Sequence, residues 1–199
     1  MSISTLYSAF SQSVEETQNH ARLLASCVKP GDVIMLTGSL GAGKTHFVQG
    51  LALGLGVTEP VLSPTFNLLL VYNSGRIPLY HFDLYRLDTE DQLDDLDFYG
   101  TLEGDGVSCI EWAEKFPAAM PDDALAINII GDAGASVPEK SNLYSVDQEK
   151  LRKASQDQSD YADQGRRVME IYAAGVRSSE LLDAWVTVDQ GVRALGACE

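Results

Sequence analysis

Gly38-Ser39-Leu40-Gly41-Ala42-Gly43-Lys44-Thr45 is the most informative stretch of this sequence. It has the spacing G-x-x-x-x-G-K-[ST], in which glycines let consecutive backbone amides point at the phosphates of a nucleotide. In this pattern the lysine reaches the β- and γ-phosphates, and the next hydroxyl ligates Mg²⁺. We therefore predict that the loop binds Mg²⁺ with ATP or a similar nucleotide. The residues predicted to contact the nucleotide here are Gly38, Leu40, Gly41, Ala42, Gly43, Lys44 and Thr45.

The segments on either side of this loop have the patterns that it requires. Asp32–Thr37 is a short apolar run, which predicts a buried strand. From Lys44, apolar residues recur at helical spacing until Gly56, which predicts a helix whose N-terminal dipole faces the phosphates. A strand, a glycine-rich loop and a helix in this order form the context in which the motif binds phosphate.

Other segments extend this unit into an α/β fold. Turn-forming residues separate two stretches rich in strand formers, which predicts a β-hairpin and hence a mixed sheet. We predict a P-loop NTPase-like mixed β-sheet flanked by helices. The remaining predicted elements are a capped helix from Ser13 to about Val28, hairpin strands at Phe66–Val71 and Ile77–Leu84, a short acidic helix starting at Thr89–Gln92, a strand at Val107–Ile110 and a last core strand at Ala124–Ile130.

The composition of the chain changes after Gly131. Residues 132–165 are polar and poor in large apolar side chains, which is typical of a linker or mobile segment. Val168–Ala173 and Leu181–Val188 have patterns that predict short amphipathic helices. We therefore expect a P-loop domain over residues 1–135 and a polar C-terminal extension over residues 136–199, partly helical or mobile.

Charge and cysteine content restrict the class of protein. The 199 residues include 14 basic and 29 acidic side chains, a net charge of −15, and no basic run of the kind that nucleic-acid binders carry. If the protein serves RNA chemistry, a partner must supply most phosphate contacts. Cys27, Cys109 and Cys198 lack metal-ligand spacing and predict a reducing compartment. No apolar stretch approaches the ~20 residues of a membrane helix, so we expect a cytoplasmic protein without membrane contact.

Acidic residues at the ends of two predicted strands are candidates for a second Mg²⁺ ligand. Glu111 directly follows Val107–Ile110, and Asp83 directly follows residues 79–82. Mg²⁺ takes only one or two protein ligands beside phosphate oxygens and waters. Position along the chain favours Glu111 and leaves Asp83 as its competitor, and either carboxylate is also compatible with a surface role.

Three further residues near these motifs each allow two interpretations. Thr65, in Ser63-Pro64-Thr65-Phe66, fits a switch threonine that senses the γ-phosphate and metal, or a plain turn fixed by proline. His81 fits a proton carrier or a structural hydrogen-bonding residue. Trp112 either packs on the core or covers the nucleotide.

Taken together, these motifs resemble the TsaE (YjeE) family, small ATPases of bacterial tRNA threonylcarbamoyladenosine biosynthesis. The resemblance extends over roughly residues 10–130, where Glu15-Glu16-Thr17 and Met120-Pro121-Asp122 also fit. The segments that carry it are Ser39–Thr45, Ser63-Pro64-Thr65-Phe66, His81-Phe82-Asp83-Leu84-Tyr85-Arg86 and Ile110-Glu111-Trp112. The combination of the phosphate loop with His-Phe-Asp-Leu-Tyr-Arg is specific.

The resemblance implies an ATPase that is slow alone and works in a complex with TsaB and TsaD. In that complex TsaD transfers the threonylcarbamoyl group to the adenosine beside the anticodon, and ATP hydrolysis supports turnover. The protein is therefore expected to meet tRNA only indirectly. By the same resemblance, Thr45 and Glu111 are the Mg²⁺ ligands and Asp83 is the acid needed for hydrolysis. Thr65 is the switch threonine, and Thr17 lies near the adenine.

The expected catalytic set is Asp83, Lys44 and Thr65, and Trp112 is expected at the nucleotide. Two features depart from the family pattern: Ser39 stands where the family commonly has Asp, and no closing segment with the family's arginine is recognisable beyond Ile130.

Two other functions are compatible with the same loop. The alternative to an ATPase subunit is a small-molecule kinase, and a third possibility is a nucleotide-gated binding module with negligible hydrolysis. A kinase usually needs arginines that stabilise the transferred charge. Residues 83–123 contain only Arg86 and Lys115 as basic residues, which disfavours the kinase.

Overall fold

The computed structural model describes residues 6–131 and 166–196. The described strands form one sheet and the helices cover both of its faces. The strands are β1 (Leu6–Ser11), β2 (Val33–Thr37), β3 (Leu69–Tyr72), β4 (Leu79–Asp83), β5 (Val107–Glu111), β6 (Leu125–Gly131) and β7 (Arg167–Ala173). The helices are α1 (Val14–Ala25), α2 (Lys44–Leu55), α3 (Phe98–Leu102) and α4 (Val176–Gly196), with 3₁₀ turns at Glu90–Leu96, Ala113–Lys115 and Pro117–Ala119.

The sheet is mixed, as predicted. Its strand order is β1-β7-β6-β2-β5-β4-β3. The four inner strands β6, β2, β5 and β4 run parallel, whereas β3 at one end and β7 and β1 at the other are antiparallel to their neighbours. Ligands of such sheets bind outside the carboxyl ends of the parallel strands, and that edge carries the loop before α2.

Helix α1 begins where its capping signal predicts. The Glu16 amide donates to Ser13 Oγ at 3.1 Å, and the Glu16 carboxylate accepts the Gln12 amide at 2.7 Å. The return bond of the predicted capping box therefore goes to Gln12 rather than to Ser13. The helix ends at Ala25, three residues before its predicted end at Val28.

The C-terminal residues belong to the same sheet as the phosphate loop. The helix predicted at Val168–Ala173 is wrong, because these residues lie in β7, where side chains alternate between buried and half-buried. This strand pairs with β1 on one side and with β6 on the other. Residues 166–196 are therefore not an extension, so the expected division at residue 135 does not hold for them, and Ala124–Ile130 is not the last core strand. The helix predicted at Leu181–Val188 is confirmed as part of α4.

Apolar side chains fill the space on both faces of the sheet. On one face, α1, α2 and α4 pack over the strands, and Trp185 of α4 lies fully buried with its ring 6.2 Å from that of Phe47 of α2. On the other face, the turn at Glu90–Leu96 and α3 cover β4 and β5. The C-terminal helix thus completes the core beneath the helix that follows the phosphate loop.

Several predictions fall on residues outside the described ranges. They include the linker or mobile segment at residues 132–165 and the side chain of Cys198. Within the described ranges, no helix has both the length and the apolar character needed to cross a membrane.

Candidate functional site

The loop between β2 and α2 has the conformation that its glycines predict. Gly38 and Gly43 adopt φ values of +132° and +108°, which L-residues with a side chain rarely adopt. A Cβ at Gly38 would also overlap the carbonyl oxygen of Ile129. Lys44 Nζ donates to the carbonyl oxygens of Gly38 at 2.7 Å and Ser39 at 3.0 Å. The lysine side chain therefore folds back along the loop and contacts its backbone.

Lys44 is a buried cation among carboxylates. Burial lowers the pKa of its ammonium group, while Glu111, Glu114 and Asp83 act in the opposite direction. Its Nζ also lies 3.8 Å from the centre of the Trp112 ring, within cation–π distance. A bound anion would stabilise the charged form of this buried ammonium group, against repulsion from the neighbouring carboxylates.

Glu111, Thr45 and His81 form a connected group at the end of β5. The Thr45 hydroxyl donates to Glu111 Oε1 at 2.8 Å, and His81 Nε2 lies 2.9 Å from the same oxygen. Glu111 is 3% exposed and His81 is fully buried. The two residues predicted as Mg²⁺ ligands, Thr45 and Glu111, are thus brought into contact.

Asp83 lies next to this group, because β4 and β5 pair in parallel with Asp83 opposite Glu111. The Thr65 hydroxyl donates to Asp83 Oδ2 at 2.6 Å, and Ser63 Oγ reaches the same oxygen at 3.3 Å. The Tyr85 amide donates to Asp83 Oδ1 at 3.0 Å. Asp83 and Thr65 therefore form a hydrogen-bonded pair in the same cleft as Lys44 and Thr45.

Trp112 both packs on the core and faces the site. It is 8% exposed, and its ring lies 4.9 Å from that of Tyr85. Its backbone is left-handed, with φ of +62°, which is strained for a bulky residue. Its ring contacts Lys44, so the two sequence interpretations of Trp112 are not mutually exclusive.

These side chains, except the fully buried His81, line one cleft of about 270 Å³ at the carboxyl edge of the parallel strands. The cleft is lined by Leu40, Gly41, Gly43, Lys44, Thr45, His46, Ser63, Thr65, Asp83, Tyr85, Glu111 and Trp112. Hydroxyl and carboxylate oxygens are the donors that Mg²⁺ prefers, so the contact between Thr45 and Glu111 fits that ion. In the described part of the chain, no group of three or more His, Cys, Asp or Glu could hold a metal. Ligand oxygens would have to complete the coordination shell.

Thr17 does not line this cleft. Its side chain is fully buried, and its hydroxyl lies 2.7 Å from Ser11 Oγ and 3.1 Å from the Ser13 carbonyl oxygen, to which it donates. Contact between this hydroxyl and an adenine would require the Ser11–Ser13 segment to move. Leu40, by contrast, is 65% exposed at the tip of the loop and lies on the cleft rim.

The sequence analysis missed one residue that contacts the loop. Arg167, the first residue of β7, is 3% exposed and donates from Nε to the Ala42 carbonyl oxygen at 2.9 Å. A Cβ at Gly43 would overlap this side chain. The arginine that could not be assigned beyond Ile130 thus has a structural candidate. Its sequence signal is the alternating pattern of the residues that follow it, which is typical of a strand.

Glu114 is a second residue beside the loop that the sequence patterns do not indicate. Burial raises the pKa of its carboxyl group, while the Gly38 amide and the charge of Lys44 act to lower it. Glu114 therefore places a further carboxyl group beside the lysine of the loop.

The sheet, the strand–loop–helix unit and the carboxylates at the ends of β4 and β5 define a P-loop NTPase-like α/β protein. A family model described as "Threonylcarbamoyl adenosine biosynthesis protein TsaE" matches residues 11–137. This chain belongs to the TsaE family, which acts in tRNA threonylcarbamoyladenosine biosynthesis.

Individual relatives agree with this assignment. The Bacillus subtilis tRNA threonylcarbamoyladenosine biosynthesis protein TsaE is 48% identical over 115 residues, which cover 58% of this chain and 72% of that protein. Its counterpart from Nostoc is 42% identical over 142 residues, covering 70% of this chain and 88% of the relative. The crystal structure of Bacillus subtilis YdiB superposes with a TM-score of 0.67 at 30% identity, covering 95% of this chain and 99% of YdiB.

Proposed function

We propose that this protein binds Mg²⁺-ATP in the cleft and hydrolyses it to support turnover of a TsaB–TsaD transferase that modifies tRNA. The observation that carries the proposal is the convergence of Lys44, Thr45, Asp83 and Glu111 on one cleft at the end of the parallel strands. A role on tRNA also implies a cytoplasmic protein.

Nucleotide phosphates would replace the internal contacts of Lys44. The ammonium group now donates to two loop carbonyls, and a phosphate oxygen is a stronger acceptor for it than a neutral carbonyl. The amides at Gly41, Ala42 and Gly43 and the N-terminus of α2 would supply the remaining donors. Arg167 would stabilise the conformation of the loop through its hydrogen bond to the Ala42 carbonyl oxygen.

Thr45 and Glu111 are the residues that would hold Mg²⁺ beside the β- and γ-phosphates. The Thr45 hydroxyl can direct a lone pair to a metal while it donates its proton in a hydrogen bond to Glu111 Oε1. A bound Mg²⁺ would neutralise charge that develops on the phosphate oxygens. The protein's part is to orient the two oxygens and to limit the water that enters the cleft.

Asp83 and Thr65 are proposed to orient the attacking water. Phosphoryl transfer depends on positioning and on charge stabilisation more than on covalent help from the protein. Asp83 lies opposite Glu111 in the sheet and is tied to the loop that carries Thr65, so it can respond to that loop's position. Movement of Thr65 toward a γ-phosphate would then report the nucleotide state to a bound partner.

The charge of the chain favours action through partners. A net charge of −15 opposes direct contact with a tRNA backbone. Partner proteins, TsaB and TsaD in this proposal, would therefore make the phosphate contacts. The small-molecule kinase is the weaker candidate, since Lys44 is the only lysine or arginine among the described residues that line the cleft.

Two binding measurements test this proposal. Lys44→Ala should abolish binding of ATP, measured by calorimetry, because Lys44 is the only lysine or arginine that the described part of the chain places in the lining of the cleft. A pull-down of the TsaB–TsaD pair by the unaltered chain should succeed, and its yield should depend on ATP. A chain that captures neither partner with or without ATP would contradict the proposed complex, and unaltered ATP binding by Lys44→Ala would contradict the proposed site.

A further inference from the structure

His81 is fully buried at the middle of β4, yet it contacts the site through one atom. The parallel register places His81 beside Cys109 and Asp83 beside Glu111. His81 Nε2 therefore reaches diagonally along the sheet to Glu111 Oε1, at 2.9 Å. Neighbouring Cys109 offers no charge, because burial holds the pKa of its thiol well above its ordinary value. Glu111 is thus the ionisable group that the ring touches.

The other ring nitrogen of His81, Nδ1, has a different environment from Nε2. His81 Nδ1 is buried and has no hydrogen-bond partner among the described residues. In the described part of the chain, Nδ1 has no group from which it could take a proton or to which it could pass one. A buried nitrogen without a partner is destabilising, and an apolar side chain would avoid that cost. The benefit of an imidazole here must come from its contact with Glu111.

We propose that His81 is a positioning residue that fixes the Glu111 carboxylate for Mg²⁺. A carboxylate only accepts hydrogen bonds, so His81 Nε2 is the donor in this contact. Two donors, His81 Nε2 and Thr45 Oγ1, then hold the same oxygen, Oε1. This leaves Oε2 of Glu111 to face the metal or its water shell. The role rests on the proposed function, since it requires Glu111 to serve the metal.

The chemistry of amide side chains supplies a matched pair of variants. The amide nitrogen of glutamine can occupy the position of a histidine Nε2, whereas that of asparagine is one methylene shorter and corresponds to Nδ1. His81→Gln should therefore keep the donor to Glu111, and His81→Asn should lose it while introducing a similar polar group. Tyr80→Phe is the control, because it removes a hydrogen bond to Asp105 from the same strand outside the cleft.

The test is the Mg²⁺ concentration that gives half-maximal binding of a non-hydrolysable ATP analogue, together with the melting temperature of each nucleotide-free variant. His81→Asn should raise the required Mg²⁺ about tenfold, as expected when a residue that orients a metal ligand is lost. His81→Gln should stay within about threefold of the unaltered protein. Tyr80→Phe should not change the requirement at all.

The outcomes separate the role of His81 from the proposed function. If His81→Asn needs no more Mg²⁺ than the unaltered protein, or if His81→Gln behaves like His81→Asn, the positioning role is wrong. Glu111→Gln is run in parallel. If it too leaves the Mg²⁺ requirement unchanged, Glu111 does not serve the metal and the proposed ligand assignment fails first. A drop in melting temperature alone, with an unchanged Mg²⁺ requirement, assigns His81 to the core and overturns the proposal.

Discussion

The Thr65 hydroxyl donates to Asp83 Oδ2 at 2.6 Å and so ties the loop after α2 to the end of β4. Asp83 Oδ1 is held separately by the Tyr85 amide at 3.0 Å. Both carboxylate oxygens are therefore engaged within the described structure, and Asp83 is oriented by protein groups alone. A residue held in this way is suited to orienting a water or a metal shell.

Removing the charge of Asp83 should slow ATP hydrolysis without weakening nucleotide binding. Asp83→Asn should lower the ATP hydrolysis rate about 100-fold, the scale expected for a group that orients the reacting water, with analogue affinity within about threefold. Thr65→Val should also lower the ATP hydrolysis rate. Thr65→Ser, which keeps the hydroxyl, should leave that rate unchanged. Steady-state hydrolysis and calorimetric binding check this. If Asp83→Asn instead loses Mg²⁺-dependent binding while Glu111→Ala hydrolyses normally, the roles of Asp83 and Glu111 are reversed.

The buried position of Lys44 predicts a pH dependence of nucleotide affinity. Burial lowers the Lys44 pKa in the nucleotide-free protein, and bound phosphates would raise it again. Nucleotide affinity should then be highest below the lowered pKa of Lys44 and should fall as the pH rises through that value. This fall should occur at a lower pH than for a lysine with the ordinary pKa of about 10.4. ADP dissociation constants measured from about pH 7 to about pH 10 test this. A constant affinity across that range would contradict the predicted loss of the Lys44 charge.

Two arginines in the C-terminal part of the chain should behave differently. Arg167→Ala should weaken nucleotide binding by about tenfold or more, because it removes a charged hydrogen bond to the loop, worth roughly 1.5–3 kcal/mol. Arg177 is the matched control, since it pairs with Asp32 at 2.6 Å, away from the cleft. Arg177→Ala should cost about 3 kcal/mol of unfolding free energy, because Asp32 is left buried without its cation, with unchanged nucleotide affinity. Equal nucleotide affinities of the two variants would contradict the proposed role of Arg167.

The placement of β7 and α4 predicts that the chain cannot be shortened to its N-terminal part. Residues 1–135 alone should fail to unfold cooperatively, because β1 and β6 lose their shared neighbour β7. In the full chain, Trp185→Ala should cost about 3–5 kcal/mol of unfolding free energy, since this fully buried ring packs on Phe47. Denaturant unfolding followed by circular dichroism measures both. A truncated chain that unfolds cooperatively would show that residues 136–199 are dispensable.

The central part of the fold was predictable because its signals are local. The strand before Gly38, the helix from Lys44 and the hairpin between Leu69 and Asp83 follow from apolar spacing and turn residues close together in sequence. The contact between Thr45 and Glu111 was also predictable, since both residues end or begin elements at one edge of a parallel sheet.

The remainder depended on contacts between distant parts of the chain. Residues 168–173 are compatible with a short helix in isolation, and only pairing with β1 and β6 makes them a strand. Arg167 reaches the loop across 125 residues of sequence, a contact that no local pattern indicates. The fully buried position of Thr17 likewise follows from the packing of β1, a strand that the sequence analysis did not predict.

ATP hydrolysis measured with and without TsaB and TsaD tests the central claim most directly. The proposed function predicts slow turnover by the chain alone and faster turnover when both partners are added, with the increase lost in Glu111→Ala. An ATPase rate that the partners leave unchanged, or transfer of the γ-phosphoryl group to a small-molecule acceptor, would contradict it.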